Sequence, residues 1–469
     1  MVKKLINFFH SENSVRTASI LLLVTLFISN LLGLVRDHFL ASYIKTSELD
    51  IYFAAFRIPD LIFNMLILGA ISSAFIPVFC EYIGNDKRKE GWHIANSFLN
   101  LAVLAMLVCS IIIFIFMPSL TSLVVPNFSD AAKQETASIS RILTLTPIFF
   151  SASYIFSGVL NSFNRFAAYS LAPLVYNLSI IIGTLFFSKT YGIWGVAIFV
   201  VIGAFLHMAI QIPSAIKIGF TYKFVLDYGN KSIKKILKLM IPRTIGLSIN
   251  QILLLFYTAI ASTLAAGSIS AFNFANNIQT MPTVVFGTSF ATAVFPTLTT
   301  SVSKQDPETF SKYLNKSIRT ILYLLIPIAM IFILLRAQII RLILGSGYFV
   351  WQDTKLTALT LGYFAISIPF QGIIPLLAKS FFALKNTKTP MIISSISDFI
   401  GIIFGYYLAP GFGAAGLALA FSIGSAVNAL GLFFAILSVK YYKFDFPVFT
   451  SIIKIIAMIL LSAVVAHYA

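Results

Sequence analysis

The sequence predicts an all-α polytopic membrane protein made of two pseudo-symmetric six-helix bundles, a parallel repeat, plus at least one further transmembrane helix near the C-terminus. Three observations predict it. About thirteen apolar stretches of roughly 18 to 25 residues fill the chain almost end to end, the length a helix needs to cross a bilayer. Charge is scarce: of 469 residues 58% are hydrophobic and 10% charged, with mean hydropathy +0.92, too few polar side chains to cover a water-facing surface. The chain also repeats itself at an offset of roughly 220 residues. Backbone polar groups in hydrocarbon must pair internally, and runs this long without alternation are helical rather than barrel strands.

The repeat shows at separate places. Ser73-Ala74-Phe75-Ile76-Pro77-Val78-Phe79 recurs 219 positions later as Thr292-Ala293-Val294-Phe295-Pro296-Thr297-Leu298. Gly192-Ile193-Trp194-Gly195-Val196-Ala197 recurs 221 positions later as Gly413-Ala414-Ala415-Gly416-Leu417-Ala418, each run opening a helix. At that same offset Gly203 falls on Gly424 and Asn177 on Asp398. Matched proline and glycine weigh against chance alignment of two greasy sequences.

The expected spans of the first half are 15–40, 52–80, 93–117, 138–162, 168–188 and 192–216. Those of the second are 236–264, 268–300, 314–335, 356–383, 390–409 and 413–438, and an extra one at 448–467 has no counterpart. The domains are therefore 1–220, 221–440 and 441–469, with the basic loop Ile218 to Lys235 as boundary. Six being even, both halves enter the membrane with the same orientation, the arrangement of transporters in which one bundle rocks against the other around a shared cavity.

The net charge of +17 invites a nucleic-acid reading, but the basic residues are parcelled into short loops and form no single stripe, which excludes it. With the N-terminus placed in the cytoplasm, roughly 22 Lys and Arg fall on the inner side and about seven on the outer, as the positive-inside rule requires. The largest inner clusters are Lys87 to Lys89, Lys217 to Lys238 and Lys304 to Arg319. Met1 to Arg16 is basic, runs straight into a long span and lacks a small-residue cleavage site, so the first helix is read as retained. Cys80 and Cys109 are too few and too apolar in context for a disulfide framework.

Charges within spans are costly, about 2.5 to 3.5 kcal/mol on insertion scales, and mark functional candidates. Arg36 and Asp37 lie near the end of the first span. Two readings stay open for them, a cavity site or a neutralised pair at the headgroup level. Arg57, Asp60 and Asn64 recur at i, i+3 and i+7 as a polar stripe on the second span, beside Pro59, which frees a carbonyl that a polar cavity would satisfy. The eighth span carries Asn273, Asn276, Asn277 and Gln279, suited to sugar or amide groups, or to gluing helices together. Arg243 opens the seventh span, as surface anchor or cavity cation, and Asp398 stands alone in the eleventh, where a structural hydrogen bond or Na⁺ or H⁺ binding are its two uses. Catalysis finds no support: His10, His38, His93, His207 and His467 are scattered, and no metal-binding spacing or phosphate loop occurs. No ATPase motor is visible either, so energy comes from an ion gradient or the membrane potential.

The run Ser29-Asn30-Leu31-Leu32-Gly33-Leu34-Val35-Arg36-Asp37, then Phe53-Ala54-Ala55-Phe56-Arg57-Ile58-Pro59, then Gly69 to Pro77 with Glu81-Tyr82, resembles the start of the MurJ (MviN) lipid II flippases, and Lys388-Thr389-Pro390 fits as well. These belong to the multidrug/oligosaccharidyl-lipid/polysaccharide exporter superfamily. The resemblance covers essentially the whole chain. It implies a multi-pass protein of the bacterial inner membrane with a cationic cavity for the pyrophosphate of a polyprenyl-linked peptidoglycan precursor; a monomer is the separate expectation for the assembly. It implies substrate contacts from Arg36, Asp37 and Arg57, and the polar residues Asn30, Asp60, Asn64, Asn276, Asn277 and Arg243 are the further candidates for substrate binding. Members have fourteen spans, of which thirteen are visible here.

The chain departs from the family where two cavity arginines are replaced by Asn30 and Asn277, a second-helix arginine and glutamate by Phe63 and Leu68, and two sodium ligands by Gly401 and Gly405. Arg243 and Asp398 are the candidates to replace what is lost. Export of another lipid-linked oligosaccharide or of drugs, and a non-transporting scaffold for cell-wall synthesis, are the competing readings.

Overall fold

The computed structural model describes residues 15–68, 74–439, 441–443 and 445, with side chains left undescribed at 15–20, 23, 67–68 and 241–250. The extra C-terminal span expected at 448–467 lies outside the described residues, as do Gly69 to Ser73 of the family-like run.

All regular structure among the described residues is helical. In chain order it runs α1 Val15–Tyr43, α2 Thr46–Ala55, α3 Arg57–Phe63, a π-helical segment Asn64–Leu68, α4 Ile76–Gly84, α5 Arg88–Val124, α6 Asp130–Leu143, α7 Thr146–Ser162, α8 Phe166–Ala209 and α9 Ile212–Lys217. Then come α10 Lys231–Ala261, α11 Ser268–Pro282, a second π segment Thr283–Thr288, α12 Ser289–Ser303, α13 Pro307–Leu334 and α14 Arg336–Leu344. The last four are α15 Trp351–Ala365, α16 Ile368–Ala383, α17 Lys388–Phe412 and α18 Ala414–Leu437. Among the described residues eight helical segments are long and apolar enough to cross a membrane, and α15 with α16 makes a ninth, bent by 44°. The fifth and sixth expected spans fall inside one of these segments, Phe166–Lys217.

Prolines explain where expected spans break. The second span was expected to run unbroken over 52–80, yet α2 ends at Ala55 and α3 begins at Arg57. Pro59 has no N–H for the Ala55 carbonyl and its ring crowds that oxygen. The freed carbonyl accepts instead from the buried Ser140 hydroxyl of α6 at 3.0 Å, so packing satisfies it rather than a polar cavity. The fourth and tenth spans break likewise, before Pro147 in α7 and Pro369 in α16.

The internal repeat is visible in the backbone of each half. Gly192 has φ 56°, ψ −141° and Gly413 has φ 62°, ψ −144°, a region open to glycine and closed to other L-residues. A Cβ on Gly195 would lie 2.8 Å from the Phe187 carbonyl oxygen, and one on Gly416 lies 2.5 Å from that of Leu408, 221 positions on. Positive φ recurs at Asp86 and Gln305, and at Asn164 and Lys385. The π segments recur as well.

Contacts divide the chain into compact units, Met1–Ala259 and Ile260–Ala469. In the first, Phe75 stacks on Phe79 and Phe98 with centroids 5.4 and 5.1 Å apart, and Trp92 stacks on Phe163 at 5.6 Å. Ile233 and Ile236 of α10 join that core, and Lys235 and Ser232 bond Glu81 and Tyr82. The core of the second is mainly aliphatic, with Leu298, Leu314, Ile321, Leu325, Leu376 and Leu377 fully buried around Phe310 and Phe381.

In each half a segment of non-helical backbone is hydrogen-bonded to the first turns of a long helix, and in the first half this segment is an extended strap. Asn96 of α5 donates to Thr221 O at 3.0 Å and accepts from Lys223 N at 2.8 Å, while Asn100 donates to the carbonyls of Lys223 and Val225. In the second half Asn315 of α13 donates to Lys443 O at 3.0 Å, and Ser311 accepts from Lys443 N at 2.9 Å. At the end of the strap, hydrogen bonds from His93 and Asn230 hold the Asp227 carboxyl below the usual carboxylate range.

Candidate functional site

The polar residues of the first unit form an ion-paired cluster. On α1 the Arg36 guanidinium donates from Nε and Nη2 to one oxygen of Asp37, at 3.1 and 2.8 Å, and from Nη1 to Asn177 Oδ1 of α8 at 3.1 Å. Asp37 is 1% exposed and Arg36 22%, so the pair is largely enclosed by protein. A guanidinium has five N–H donors. The three bonds above therefore leave a pair of donors for an anion.

On α3, Arg57 Nε donates to Thr258 Oγ1 of α10 at 2.7 Å. Asp60, one turn along, is close enough to act electrostatically on Arg57. Tyr52 and Tyr176 feel the charges of Arg36 and Asp60, which brings Arg36, Asp37, Tyr52, Asp60 and Tyr176 into one neighbourhood. Two guanidiniums face two carboxylates, so the cluster is electrically balanced as drawn. An anion would be held by directed, charge-assisted donors rather than by surplus positive charge.

Asn30 and Asn64 do not join this cluster through their amide nitrogens. Asn30 Nδ2 donates to Leu26 O at 2.8 Å and Asn64 Nδ2 to Asp60 O at 2.7 Å, each folding back on its own helix. Behind the cluster lies a buried network with no charge. Ser153 bonds His207 Nδ1 at 2.7 Å and Gln211 Nε2 at 2.6 Å, and Ser157 donates to Gln211 Oε1 at 2.8 Å. His207 stacks on Tyr154, so this histidine is structural despite lying in a span.

The second unit is chemically different. Gln279 Nε2 donates to Asn276 Oδ1 at 3.0 Å, and Gln371 Nε2 donates to Ser367 Oγ at 2.8 Å and to Gln279 Oε1 at 3.4 Å. Asn277 lies beside this chain of amides, half-buried. The cation here is Lys379 on α16, half-buried, its Nζ donating to Thr292 Oγ1 at 2.6 Å and lying 5.8 Å from the centre of the Phe295 ring. No carboxylate pairs with it among the described residues. Sequence reasoning missed it, although a lone lysine inside the apolar tenth span is the signal that singled out Arg57.

Asp398 on α17 is half-buried, with no hydrogen bond or ion pair among the described residues. Gly401 and Gly405, at the family's sodium-ligand positions, are buried and offer no side-chain oxygen. A Cβ on Gly424 would meet Ser397 O at 3.1 Å and Gly401 Cα at 3.6 Å, so glycine on these faces serves close packing of α17 on α18. These residues do not fit a sodium ion. The side chain of Arg243 lies outside the described ones. Among the described residues no three His, Cys, Asp or Glu are grouped to hold a metal.

Long apolar helices, a repeated half and guanidiniums pre-oriented inside the spans define a multi-pass membrane transporter. Residues 40–469 match the family described as Lipid II flippase MurJ, and the chain belongs to that family. Relatives include the lipid II flippase MurJ of Thermosipho africanus, 31% identical over 90% of this chain and 86% of its own length. The probable lipid II flippase MurJ of Rickettsia prowazekii is 30% identical over 91% and 84%. A solved structure described as lipid II flippase MurJ in an inward closed conformation superposes with TM-score 0.83 at 29% identity, covering 96% of this chain and 92% of that one. An inward-facing multidrug MATE transporter of the MOP superfamily shares the fold at TM-score 0.75 and 14% identity, over 89% and 97%.

Proposed function

We propose that this chain flips lipid II from the cytoplasmic to the outer leaflet of the bacterial inner membrane, as a monomer with a cytoplasmic N-terminus, by alternating access. Family membership over residues 40–469 supports the cargo class, and the single observation that carries the chemistry is the Arg36 guanidinium, fixed by Asp37 and Asn177 with donors to spare. A pyrophosphate presents clustered oxygen acceptors, and donors held rigid in a dry site bind it without losing rotamer freedom on contact. In this reading Arg36 and Arg57 take the pyrophosphate. Asp37 and Asn177 set the geometry of Arg36 and Thr258 that of Arg57, and Asn276 and Asn277 meet the sugar or peptide.

Lys379 supplies the second half with a cation where the family's arginine is Asn277. With the sodium ligands replaced by glycine, the membrane potential, worth about 2.3 kcal/mol per charge per 100 mV, or proton binding at Asp398 drives the cycle. The test is depletion of the protein in its own cell. The expected result is lipid II that accumulates and stays out of reach of an externally added enzyme that cleaves it. Accessibility equal to that in undepleted cells overturns the reading.

A further inference from the structure

A cavity in the first unit, away from the charged cluster, has features of a lipid site. It has a volume of about 340 Å³ and is walled by Leu99 and Val103 of α5, Ala152 and Phe156 of α7, and Ile216 of α9, with Tyr222 of the strap at its edge. At about 30 Å³ per water-sized group this is space for roughly ten methylenes. The wall is almost wholly apolar, and the amide of Asn100 is engaged by the strap. Such a hollow beside bulk hydrocarbon is suited to an alkyl chain and not to a sugar or ion.

The strap gives the hollow a direction. Ile216, Tyr222, Phe224 and Tyr228 project outward, 58%, 60%, 74% and 57% exposed, although four hydrogen bonds to Asn96 and Asn100 fix the strap backbone. Exposed aromatic side chains held rigidly at the end of a helical bundle are what the headgroup layer selects. Among them stand Lys217 and Lys223, exposed, with no carboxylate in ion-pair range among the described residues. Lysines beside an apolar slot at that depth complement the phosphate of an anionic lipid.

We propose that this hollow and its strap form a binding site for one anionic glycerophospholipid. One acyl chain enters between α5, α7 and α9, and Lys217 and Lys223 hold the phosphate. The site is separate from cargo transport and does not rest on the flippase reading. It pins the strap that joins the repeated halves to one leaflet of the membrane.

Trp92 provides the reporter, since its ring lies 5.8 Å from Phe220, another residue of the cavity wall. The full chain, with Trp194→Phe and Trp351→Phe, is placed in phosphatidylcholine vesicles containing a small fraction of brominated phosphatidylglycerol or, in parallel, the same fraction of brominated phosphatidylcholine. Two lysines predict roughly thirtyfold enrichment of the anionic lipid at the site, read as much stronger quenching of Trp92 by brominated phosphatidylglycerol. Lys217→Gln with Lys223→Gln should equalise the two lipids. Ala152→Leu, which fills the slot and leaves the lysines in place, should weaken quenching by the anionic lipid. Equal quenching of the unaltered site by both lipids overturns the proposal. So does recovery of fluorescence on adding a stoichiometric polyprenyl-pyrophosphate lipid, which would make the occupant the cargo tail.

Discussion

The two halves share a backbone and differ in chemistry. Gly192 and Gly413 adopt the same positive-φ conformation, Gly195 and Gly416 meet the same carbonyl one repeat apart, and Asn164 and Lys385 turn the chain the same way. Yet the polar groups on this shared frame diverge. In the first half Arg36 is tied to Asp37, and Arg57 lies within electrostatic reach of Asp60. In the second they are replaced by linked amides, Asn276, Gln279 and Gln371, with one lysine off to the side. Even Asn177, which fixes Arg36, becomes Asp398 at the matched position. A duplicated fold thus keeps the glycines and prolines that permit its bends while the polar residues set on that frame diverge. The charged half is suited to a phosphate and the amide half to a sugar or peptide.

The structural half of this comparison breaks if the matched glycines are not equivalent. Gly195→Ala and Gly416→Ala each force a Cβ onto a carbonyl oxygen that cannot swing away, and should each lower stability by about 1 to 3 kcal/mol. Thermal unfolding in detergent should show similar losses for the two, and a loss at one position alone would mean that the repeat is not shared at the level of packing.

The chemical half sharpens at Asp60. Removing its negative charge as Asp60→Asn leaves Arg57 with its Thr258 bond and tips the balanced cluster toward positive. A unit charge several ångström away at an effective dielectric near 20 is worth a kcal/mol or more, so affinity for a pyrophosphate-linked lipid should rise roughly tenfold. Asp398→Asn in the other half should leave that affinity unchanged.

The smallest effect concerns the strap. The Asp227 carboxyl is held below its usual range by His93 and Asn230, so the charged form favours the folded strap. That contribution is present above the ordinary carboxylate pKa of about 4 and disappears as pH falls through the lower folded value. Hydrogen exchange at residues 221–227 should stay slow down to about pH 4 and quicken below it, whereas Asp227→Asn should exchange at its own rate throughout that range.

Much of the architecture was legible because the bilayer imposes long helices and because glycine and proline mark where they bend. Gly192 and Gly413 could be matched from sequence since no other residue adopts that conformation cheaply. The pairing within the site was less legible. Arg36 with Asp37 could be read as neighbours in an apolar run, but Asn177 is 141 residues away and Thr258 lies 201 residues from Arg57, contacts that tertiary packing alone creates. Local hydrogen bonding also drew Asn30 and Asn64 back to their own helices, which periodicity does not reveal. The break of the second span at Phe56 was hidden for a related reason: Pro59 signals a lost hydrogen bond, and only the fold shows that Ser140 replaces it.

The central claim is that fixed guanidiniums of the first half hold the phosphates of the cargo. It is tested most directly by measuring binding of lipid II to the purified chain and to its Arg36→Gln, Arg57→Gln double variant, alongside the Asn276→Ala, Asn277→Ala variant. Loss of two charge-assisted contacts, each about 1.5 to 3 kcal/mol, predicts at least a hundredfold weaker binding for the arginine variant and a much smaller change for the asparagine one. Unchanged affinity in a folded arginine variant would contradict the account.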